Sequence, residues 1–375
     1  MEMKKIKVFS FLTLFLLSFI LGQTTLAQNI LKQEPEYVKA RVIRILEEKD
    51  FERENGNIVK QQKVELLSLG GKNKGEIFIY NGISELDVLS GHQYSEGDRV
   101  FLSIEYSESG ELQVYIVDYV RERSLFFLFT LFVLVVLLVG KKIGIRSIIA
   151  LGVSFLLILK VLAPLILAGY NPVLTGLILA ISVLLAMVYI TEGFNTKAHI
   201  SVISIFITLL LTLLLSWFFV NLSRLSGMSS EETIFLISDN IKVINFKGLL
   251  LSAIIIGALG VLDDIAVGQV EAVQQLILTD PTQSQKKLFK SAITIGRAHL
   301  GAIINTLFLA YVGASLPLIL LFNVKSAPFV SFSQVINHES IATEIVRTLV
   351  GAIGLCLAMP IATLLAVLVL NKKKS

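Results

Sequence analysis

Two adjacent carboxylates, Asp263 and Asp264, interrupt an apolar stretch that starts after Lys247. A helix from Lys247 rises 1.5 Å per residue, which places the pair about 24 Å into a hydrocarbon core about 30 Å thick. Ionised acids are costly at that depth and normally face a bundle interior, a water-filled cavity or a partner charge. The spacing therefore predicts a polar site inside the membrane, near the side at which the helix ends.

Small and polar residues share one face of this predicted helix. At 100° per residue, six positions fall within about 40° of a single line. Glycines on a membrane helix let a second helix approach closely, so we expect Asp264 to meet a neighbouring helix rather than lipid. Asp263 points about 100° away and should face a different neighbour. The six positions are Gly257, Gly260, Asp264, Gly268, Glu271 and Gln275.

A second polar group begins where a later apolar stretch enters the membrane. Arg297 is expected at about the depth of Asp264, where an ion pair would stabilise both charges; alternatively, Arg297 only marks the cytoplasmic boundary. Asn305 lies two turns further along, and His299 either titrates near neutral pH or packs at the membrane interface. The predicted site comprises Asp263, Asp264, Arg297 and Asn305, with Gln269, Glu271 and His299 as secondary members.

Charged residues also occur in two other predicted spans. Glu344 and Arg347 are three residues apart and can pair on one helix face, although Arg347 alone could extend to the lipid headgroups. Gly351 and Gly354 continue that face and predict close helix packing. Lys160 is expected in the outer half of the membrane, where it either reaches toward the headgroups or pairs with a carboxylate.

Composition places the chain among multi-pass membrane proteins. Of its 375 residues 54% are hydrophobic and 17% charged, whereas soluble proteins carry about 25% charged residues. The net charge of +4 fits lysines and arginines in cytoplasmic loops and does not require a nucleic acid partner. The single cysteine, Cys356, is expected to be a small buried hydrophobe, so no disulfide framework is predicted.

No familiar catalytic or metal-binding motif accompanies these residues. The four histidines are scattered without metal-ligand spacing. The sequence contains neither a P-loop nor a nucleophile elbow. We therefore expect no cofactor, no bound metal and no catalytic residue, and a protein that is not an enzyme.

Three regions follow one another along the chain. Residues 1–27 are typical of a signal peptide, although an uncleaved anchor is the alternative. Residues 28–120 alternate apolar and polar positions over five segments, including Ile77 with Ile79, and predict a small extracytoplasmic β domain, either an OB-like barrel or a similar sheet. Residues 121–375 predict a helical bundle of about seven spans. The spans are 124–140, 147–168, 173–190, 200–220, 248–268, 298–322 and 345–370.

The distribution of lysine and arginine predicts the orientation. If residues 28–120 lie outside and every span crosses once, most basic residues between the spans fall on the inside, and the C-terminus is cytoplasmic. The signal peptide indicates the same orientation independently. An amphipathic helix is also expected on the outer surface within residues 228–246.

Three sequence blocks carry a resemblance to a known family. Residues 257–269 contain the Asp263-Asp264 pair, residues 296–299 read Gly296-Arg297-Ala298-His299, and residues 344–351 join Glu344 to Gly351. Together they resemble the signature of the YibE/F-like family of bacterial multi-pass membrane proteins. The resemblance implies the membrane architecture and these sites, and it adds little about activity.

Two functions remain open from the sequence. The cost of intramembrane acids favours a gradient-driven solute or ion permease, with a polar site between the fifth and sixth spans. The alternative is a non-transporting cell-envelope scaffold or assembly factor whose outer domain recruits a partner. An intramembrane aspartyl enzyme is a third option, but adjacent acids on one helix point apart. The expected partners are the lipid bilayer, an unknown small solute or ion, and an envelope protein or a second copy of the chain.

Overall fold

The computed structural model describes residues 36–53, 56–84, 93–106, 112–229, 231–238, 244–317, 319–320 and 330–372. These residues belong to two compact units, which meet in the sequence between Val136 and Leu137. The first unit contains a β sheet and the second a helical bundle. The signal peptide predicted at residues 1–27 lies outside the described residues.

Five antiparallel strands form the sheet, as the alternation of apolar residues predicted. The strand order is β3-β2-β1-β4-β5, with the long strand β1 at the centre. Among the described strands, β3 and β5 are the edges of the hydrogen-bonded order, so closure into an OB-like barrel is not confirmed. The strands are β1 (Glu36–Glu52), β2 (Ile58–Ser68), β3 (Ile77–Asn81), β4 (Arg99–Tyr106) and β5 (Leu112–Tyr119).

The core of the sheet confirms most of the predicted alternation but reverses it in β3. Val38, Ala40 and Val42 of β1 are buried, as expected. In β3, Phe78 is buried while Ile77 and Ile79 are exposed. The prediction that Ile77 and Ile79 face the core was therefore wrong. Ile77, Phe78 and Ile79 are all apolar, so their pattern cannot define the inward face. The register does so by pairing Phe78 with buried Leu66 of β2.

Among the described residues, six helical segments are long and apolar enough to cross a membrane, where seven spans were predicted. The difference arises in Glu122–Leu167, a segment of 46 residues that contains the first two predicted spans. Lys141 interrupts it with φ 47° and ψ −126°. The helix resumes directly after Lys141, so no loop separates the two predicted spans.

The helices are numbered in chain order, and the first two flank a π-helical turn at Ile158–Leu162. Helix α5 lies where the amphipathic helix was predicted. The helices are α1 (Glu122–Leu157), α2 (Ala163–Leu167), α3 (Pro172–Thr191), α4 (Thr196–Leu222), α5 (Glu231–Ser238), α6 (Phe246–Thr279), α7 (Gln285–Ala314), α8 (Phe332–Asn337) and α9 (Glu339–Lys372).

Helices α4, α6 and α9 pack against one another at the centre of the bundle, and α3 and α7 pack against α6. Four of the buried hydroxyl side chains of helix α4 each donate to the carbonyl four residues earlier. Because their polar groups are satisfied within the helix, these small residues permit close packing. Gly354 of α9 packs so tightly against Thr212 that an added Cβ would overlap the hydroxyl. The four residues are Ser204, Thr208, Thr212 and Ser216.

One expectation about α9 was wrong. Cys356 is a free cysteine and is exposed rather than buried. The inward positions of this helical turn are occupied by Leu355 and Ala358, both fully buried. Cys356 follows Leu355 by one residue and is therefore rotated about 100° toward the outside of the helix.

Candidate functional site

Helix α6 carries both aspartates in its continuous helical region and turns them toward different neighbours, as the helical period predicted. Asp263 is half-buried, and its Oδ1 atom is buried without a hydrogen-bond partner among the described residues. The charged groups that act on Asp263 are Asp264 and Glu192, which directly follows α3 as its C-cap. Within the described residues, the charges that act on Asp263 are therefore acidic, and no ion pair compensates its carboxylate.

Asp264 points about 100° away from Asp263 and is exposed. The ionisable side chain of the described residues that acts on Asp264 is His299 of α7. The predicted ion pair with Arg297 is not formed in the part of the chain that the structure describes, where Arg297 and Asn305 are also exposed. Gly296 is one of the residues of α7 that are buried against the bundle, so Arg297 is rotated about 100° away from that contact.

Gln269 connects three helices. Its Nε2 atom donates to the carbonyl oxygen of Ala292 in α7 at 2.8 Å and to Thr363 Oγ1 in α9 at 2.9 Å. The side chain is buried, where loss of such bonds is costly. A Cβ at Gly296 would lie 2.6 Å from Gln269 Nε2 and 2.8 Å from Met359 Sδ. Gly296 therefore leaves the space that the amide occupies.

Glu271 is paired, unlike Asp263. Its Oε2 atom lies 2.5 Å from Lys197 Nζ, which belongs to the first turn of α4. Its Oε1 atom accepts a hydrogen bond of 2.8 Å from Gln275 Nε2. Glu271 therefore connects α6 to the start of α4 and is electrically compensated.

The glycines predicted on the face of Asp264 do lie together on the exposed side of α6. An added Cβ would meet no atom within 4 Å at Gly260 or Gly268, and at Gly257 it would lie 3.3 Å from the Tyr311 hydroxyl. No helix of the described chain covers Gly260 and Gly268. The neighbouring helix that the sequence predicted for this face is therefore not supplied by the described part of the same chain.

The remaining charged candidates lie apart from the aspartates. Glu344 Oε1 and Arg347 Nη1 form the predicted ion pair at 2.9 Å. Glu344 also lines an apolar cavity of about 360 Å³ between α7 and α9, and neither Asp263 nor Asp264 lines it. A Cβ added at Gly351 would lie 3.9 Å from Leu307 Cδ2, an ordinary van der Waals contact. Lys160 is exposed in the π-helical turn and makes no ion pair within the described residues.

Sequence reasoning missed Glu339, the first residue of α9. Its Oε1 atom accepts hydrogen bonds from Ser226 N at 2.6 Å, Ser226 Oγ at 2.7 Å and Gly227 N at 3.0 Å. An acid in the first turn of a helix can be recognised in a sequence, because it stabilises the helix N-terminus. The partners of Glu339 could not be recognised in the same way, because they lie more than a hundred residues earlier. Glu339 therefore fixes the loop after α4 to the start of α9.

Glu339→Ala is expected to destabilise the bundle by about 1–3 kcal/mol, because two backbone donors lose a charged acceptor. The measurement is the thermal unfolding midpoint of the purified protein in detergent. Glu232→Ala, at an exposed position of α5, should leave the midpoint unchanged. Equal midpoints for both variants would contradict the role assigned to Glu339.

The fold and site define a class: a multi-helix membrane protein preceded by an antiparallel sheet, with paired acids in one of its apolar helices. A family model described as YibE/F-like protein matches residues 128–372. A second model, described as YibE/F family N-terminal domain, matches residues 36–119. The chain therefore belongs to the YibE/F-like family. Searches of curated proteins and of solved structures returned no match.

Proposed function

We propose that this protein is a gradient-driven permease of the cell membrane for a small solute or ion, and that Asp263 is its proton or cation site. The supporting observation is the Oδ1 atom of Asp263, which is buried and lacks a hydrogen-bond partner among the described residues. An anion in a low-dielectric environment must be neutralised by a proton or accompanied by a cation. Exchange of that proton or cation is the step that couples a gradient to movement of a solute.

Comparison with the other acids of the bundle supports a functional role for Asp263. Glu271 is compensated by Lys197, and Glu344 is compensated by Arg347. Acids that serve stability in this bundle therefore have either a basic partner or, like Glu339, several hydrogen-bond donors. Asp263 has acidic neighbours instead, an arrangement that favours uptake of a positive charge and does not favour a fixed structural ion pair.

Polar groups near the ends of α3 and α6 provide an approach to Asp263. Glu192 follows α3 directly, and the Lys197–Glu271 pair lies two turns beyond Asp263 along α6. A negative potential from Glu192 attracts cations and protons toward the buried carboxylate. We propose that Asp263 is reached from this end, which the distribution of basic residues makes the cytoplasmic one.

We propose seven crossings, with the break at Lys141 separating the first from the second. This arrangement puts residues 28–120 outside and the C-terminus inside, in agreement with the basic residues between the spans. A fluorescent protein fused after Ser375 should then be bright, and an alkaline phosphatase fused there should be inactive. The opposite pattern would show an even number of crossings after the sheet and would refute this topology.

A measurement that needs no knowledge of the solute tests the permease. Proteoliposomes on a solid-supported membrane are exposed to a pH jump, and the displaced charge is recorded. A transient current is expected because the proton moves into the protein to reach Asp263. A response no larger than that of protein-free liposomes would refute the proposed proton site, and separate jumps in Na⁺, K⁺ and Mg²⁺ would then test a cation site.

The scaffold function is the second candidate, and the independent core of the sheet favours it. Val64, Leu66 and Leu102 are fully buried within this unit, so the unit has the core that a recruitment module needs. Pull-down with the intact protein and with a variant lacking residues 36–119 distinguishes the two functions. If the protein is a scaffold, the variant lacking residues 36–119 no longer captures the partner. If it is a permease, that variant retains the transient current after a pH jump.

A further inference from the structure

Two arginines lie directly opposite one another on the face of the sheet that points away from its core. The strand register pairs Arg41 of β1 with Arg99 of β4, which places their Cβ atoms about 5 Å apart. Both side chains are exposed, because Ala40, Val42 and Val100 occupy the inward positions beside them. Like charges at directly opposite positions destabilise a sheet, so an anion bound between Arg41 and Arg99 would stabilise this one. We name these two residues the arginine pair.

Nearby acids do not neutralise the arginine pair. Asp98, which directly precedes Arg99, accepts a hydrogen bond of 2.8 Å from the backbone N–H of Ser95, and Glu96 of the same turn is exposed. Three further acids, on β2, on β5 and at the start of α1, form ion pairs with other bases. Those ion pairs are Arg44–Glu65, Arg121–Asp118 and Lys39–Glu122. Neither member of the arginine pair forms an ion pair within the described residues, so both positive charges remain available to an anion.

The Arg41 side chain points toward the end of the sheet from which the chain continues into α1. A Cβ added at Gly97 would lie 3.7 Å from Arg41 Nη2, so the guanidinium lies beside the turn that precedes β4. Val100, near the start of β4, pairs with Tyr119, the last residue of β5. Because β4 begins where β5 ends, the guanidinium and the start of α1 lie at the same end of the sheet.

This end of the sheet lies close to the membrane. The sheet and the first turns of α1 belong to one compact unit. The carbonyl oxygen of Arg99 accepts a hydrogen bond of 2.8 Å from Val120 N, and α1 begins two residues later at Glu122. Ser124, where the first span was predicted to start, follows Val120 by four residues, at most about 14 Å of extended chain. The headgroup layer of one leaflet accounts for about 5–7 Å of that distance, so the arginine pair is within reach of the headgroups beside α1.

We propose that the arginine pair binds the phosphate group of an anionic phospholipid in the leaflet where α1 begins. Guanidinium groups match phosphate oxygens with two parallel hydrogen bonds each, and a phosphate between Arg41 and Arg99 replaces their repulsion by two attractions. The contact holds the sheet at the membrane surface. It depends neither on Asp263 nor on which side of the membrane the sheet occupies, so it goes beyond the proposed function.

Position favours a lipid over a soluble anion or an acidic protein. The first turns of α1 hold the arginine pair beside the headgroups, where the effective concentration of phosphate is high. Basic residues immediately beside a membrane span strengthen binding to anionic headgroups by a factor of about five each. Arg123 adds a third exposed positive charge at this level, and it forms no ion pair within the described part of the chain.

Fluorescence quenching at the turn beside Arg41 tests where the arginine pair lies. In a Cys356→Ser background, Ser95→Cys of the full chain is labelled with bimane and reconstituted into liposomes that contain phosphatidylglycerol and a lipid with a nitroxide on its headgroup. We expect the fluorescence at position 95 to fall about twofold or more, because the nitroxide lies at the level of the pair. Leu112→Cys is the control, since position 112 lies about 24 Å from Tyr119 along β5 and should be quenched several-fold less. Quenching at position 95 no stronger than at position 112 would overturn the proposal.

Titration with two lipids tests whether the arginine pair recognises an anionic headgroup. The protein labelled with bimane at position 95 is placed in detergent micelles and titrated with phosphatidylglycerol or phosphatidylcholine, each with a nitroxide near the top of an acyl chain. We expect half-maximal quenching at a phosphatidylglycerol concentration about tenfold or more below that of phosphatidylcholine. Arg41→Gln combined with Arg99→Gln should raise the phosphatidylglycerol concentration required about 25-fold, about fivefold for each lost charge. Arg44→Gln, whose guanidinium is already paired with Glu65, should change it less than about twofold.

Three results of the titration would overturn the proposal. They are equal preference of the native protein for the two lipids, equal titrations of the double variant and Arg44→Gln, and displacement of phosphatidylglycerol by an equal concentration of inorganic phosphate. The last result would show a site for a soluble anion. The liposome measurement keeps both arginines and decides the matter if a variant does not fold.

Discussion

Asp263→Asn is expected to reduce the charge displaced by a pH jump to about a tenth of the native value. Asparagine retains the shape of the side chain, but its amide does not take up a proton near neutral pH. Its amide is neutral, so the variant also removes the cost of a buried unpaired anion, and its thermal stability should equal or exceed that of the native protein. Loss of current together with unchanged or improved stability distinguishes a functional acid from a structural one.

Asp280→Asn is the matched control for this prediction. Asp280 directly follows α6 and accepts hydrogen bonds from Thr282 Oγ1 at 2.6 Å and from Thr282 N at 3.1 Å. The Thr282 side chain, followed by its backbone N–H, lowers the pKa of the Asp280 carboxyl below its ordinary value. Asp280 therefore stays ionised between about pH 5 and 8, and any stability gained from its depressed pKa is lost only at lower pH. A current lost in Asp280→Asn as well would exclude a specific role for Asp263.

Gly296→Val is expected to prevent correct packing of α7, with a loss of about 3 kcal/mol or more of bundle stability. The added Cβ would lie 2.6 Å from Gln269 Nε2, and that amide is held by hydrogen bonds to Ala292 and Thr363. Gln269 cannot move without leaving those acceptors unpaired in the core. The measurement is the yield of monodisperse protein after extraction, together with its unfolding midpoint.

Gly313→Val is the control on the same helix, because an added Cβ at Gly313 meets no described atom within 4 Å. It should lower the free energy of unfolding by about 1 kcal/mol or less. A second comparison isolates the contact: Gln269→Ala should partly rescue Gly296→Ala, since the smaller side chain makes room for the methyl group. Additive losses in the double variant would show that the two residues are not coupled.

Patterns local to the chain could be predicted from the sequence. The five strands followed from alternation, and the divergence of Asp263 from Asp264 followed from the helical period. The phase of β3 could not be predicted, because Ile77, Phe78 and Ile79 are equally apolar and only pairing with β2 defines the inward face.

Features that depend on contacts between helices could not be predicted from the sequence. The rotation of α7 is set by the contact of Gly296 with Gln269 and Met359, and it turns Arg297 away from the predicted pair with Asp264. The bonds from Ser226 and Gly227 to Glu339 join residues more than a hundred positions apart. Local periodicity carries no information about such partners, because tertiary packing selects them.

The central claim is that water and cations reach Asp263 inside the membrane. Its most direct test is thiol labelling of Asp263→Cys in a Cys356→Ser background, with a charged, membrane-impermeant maleimide applied to sealed vesicles of either orientation. We expect position 263 to be labelled from the cytoplasmic side and Leu214→Cys to remain unlabelled, because a thiolate does not form in lipid. Failure to label position 263 from either side, with protein that is folded and inserted, would contradict the account.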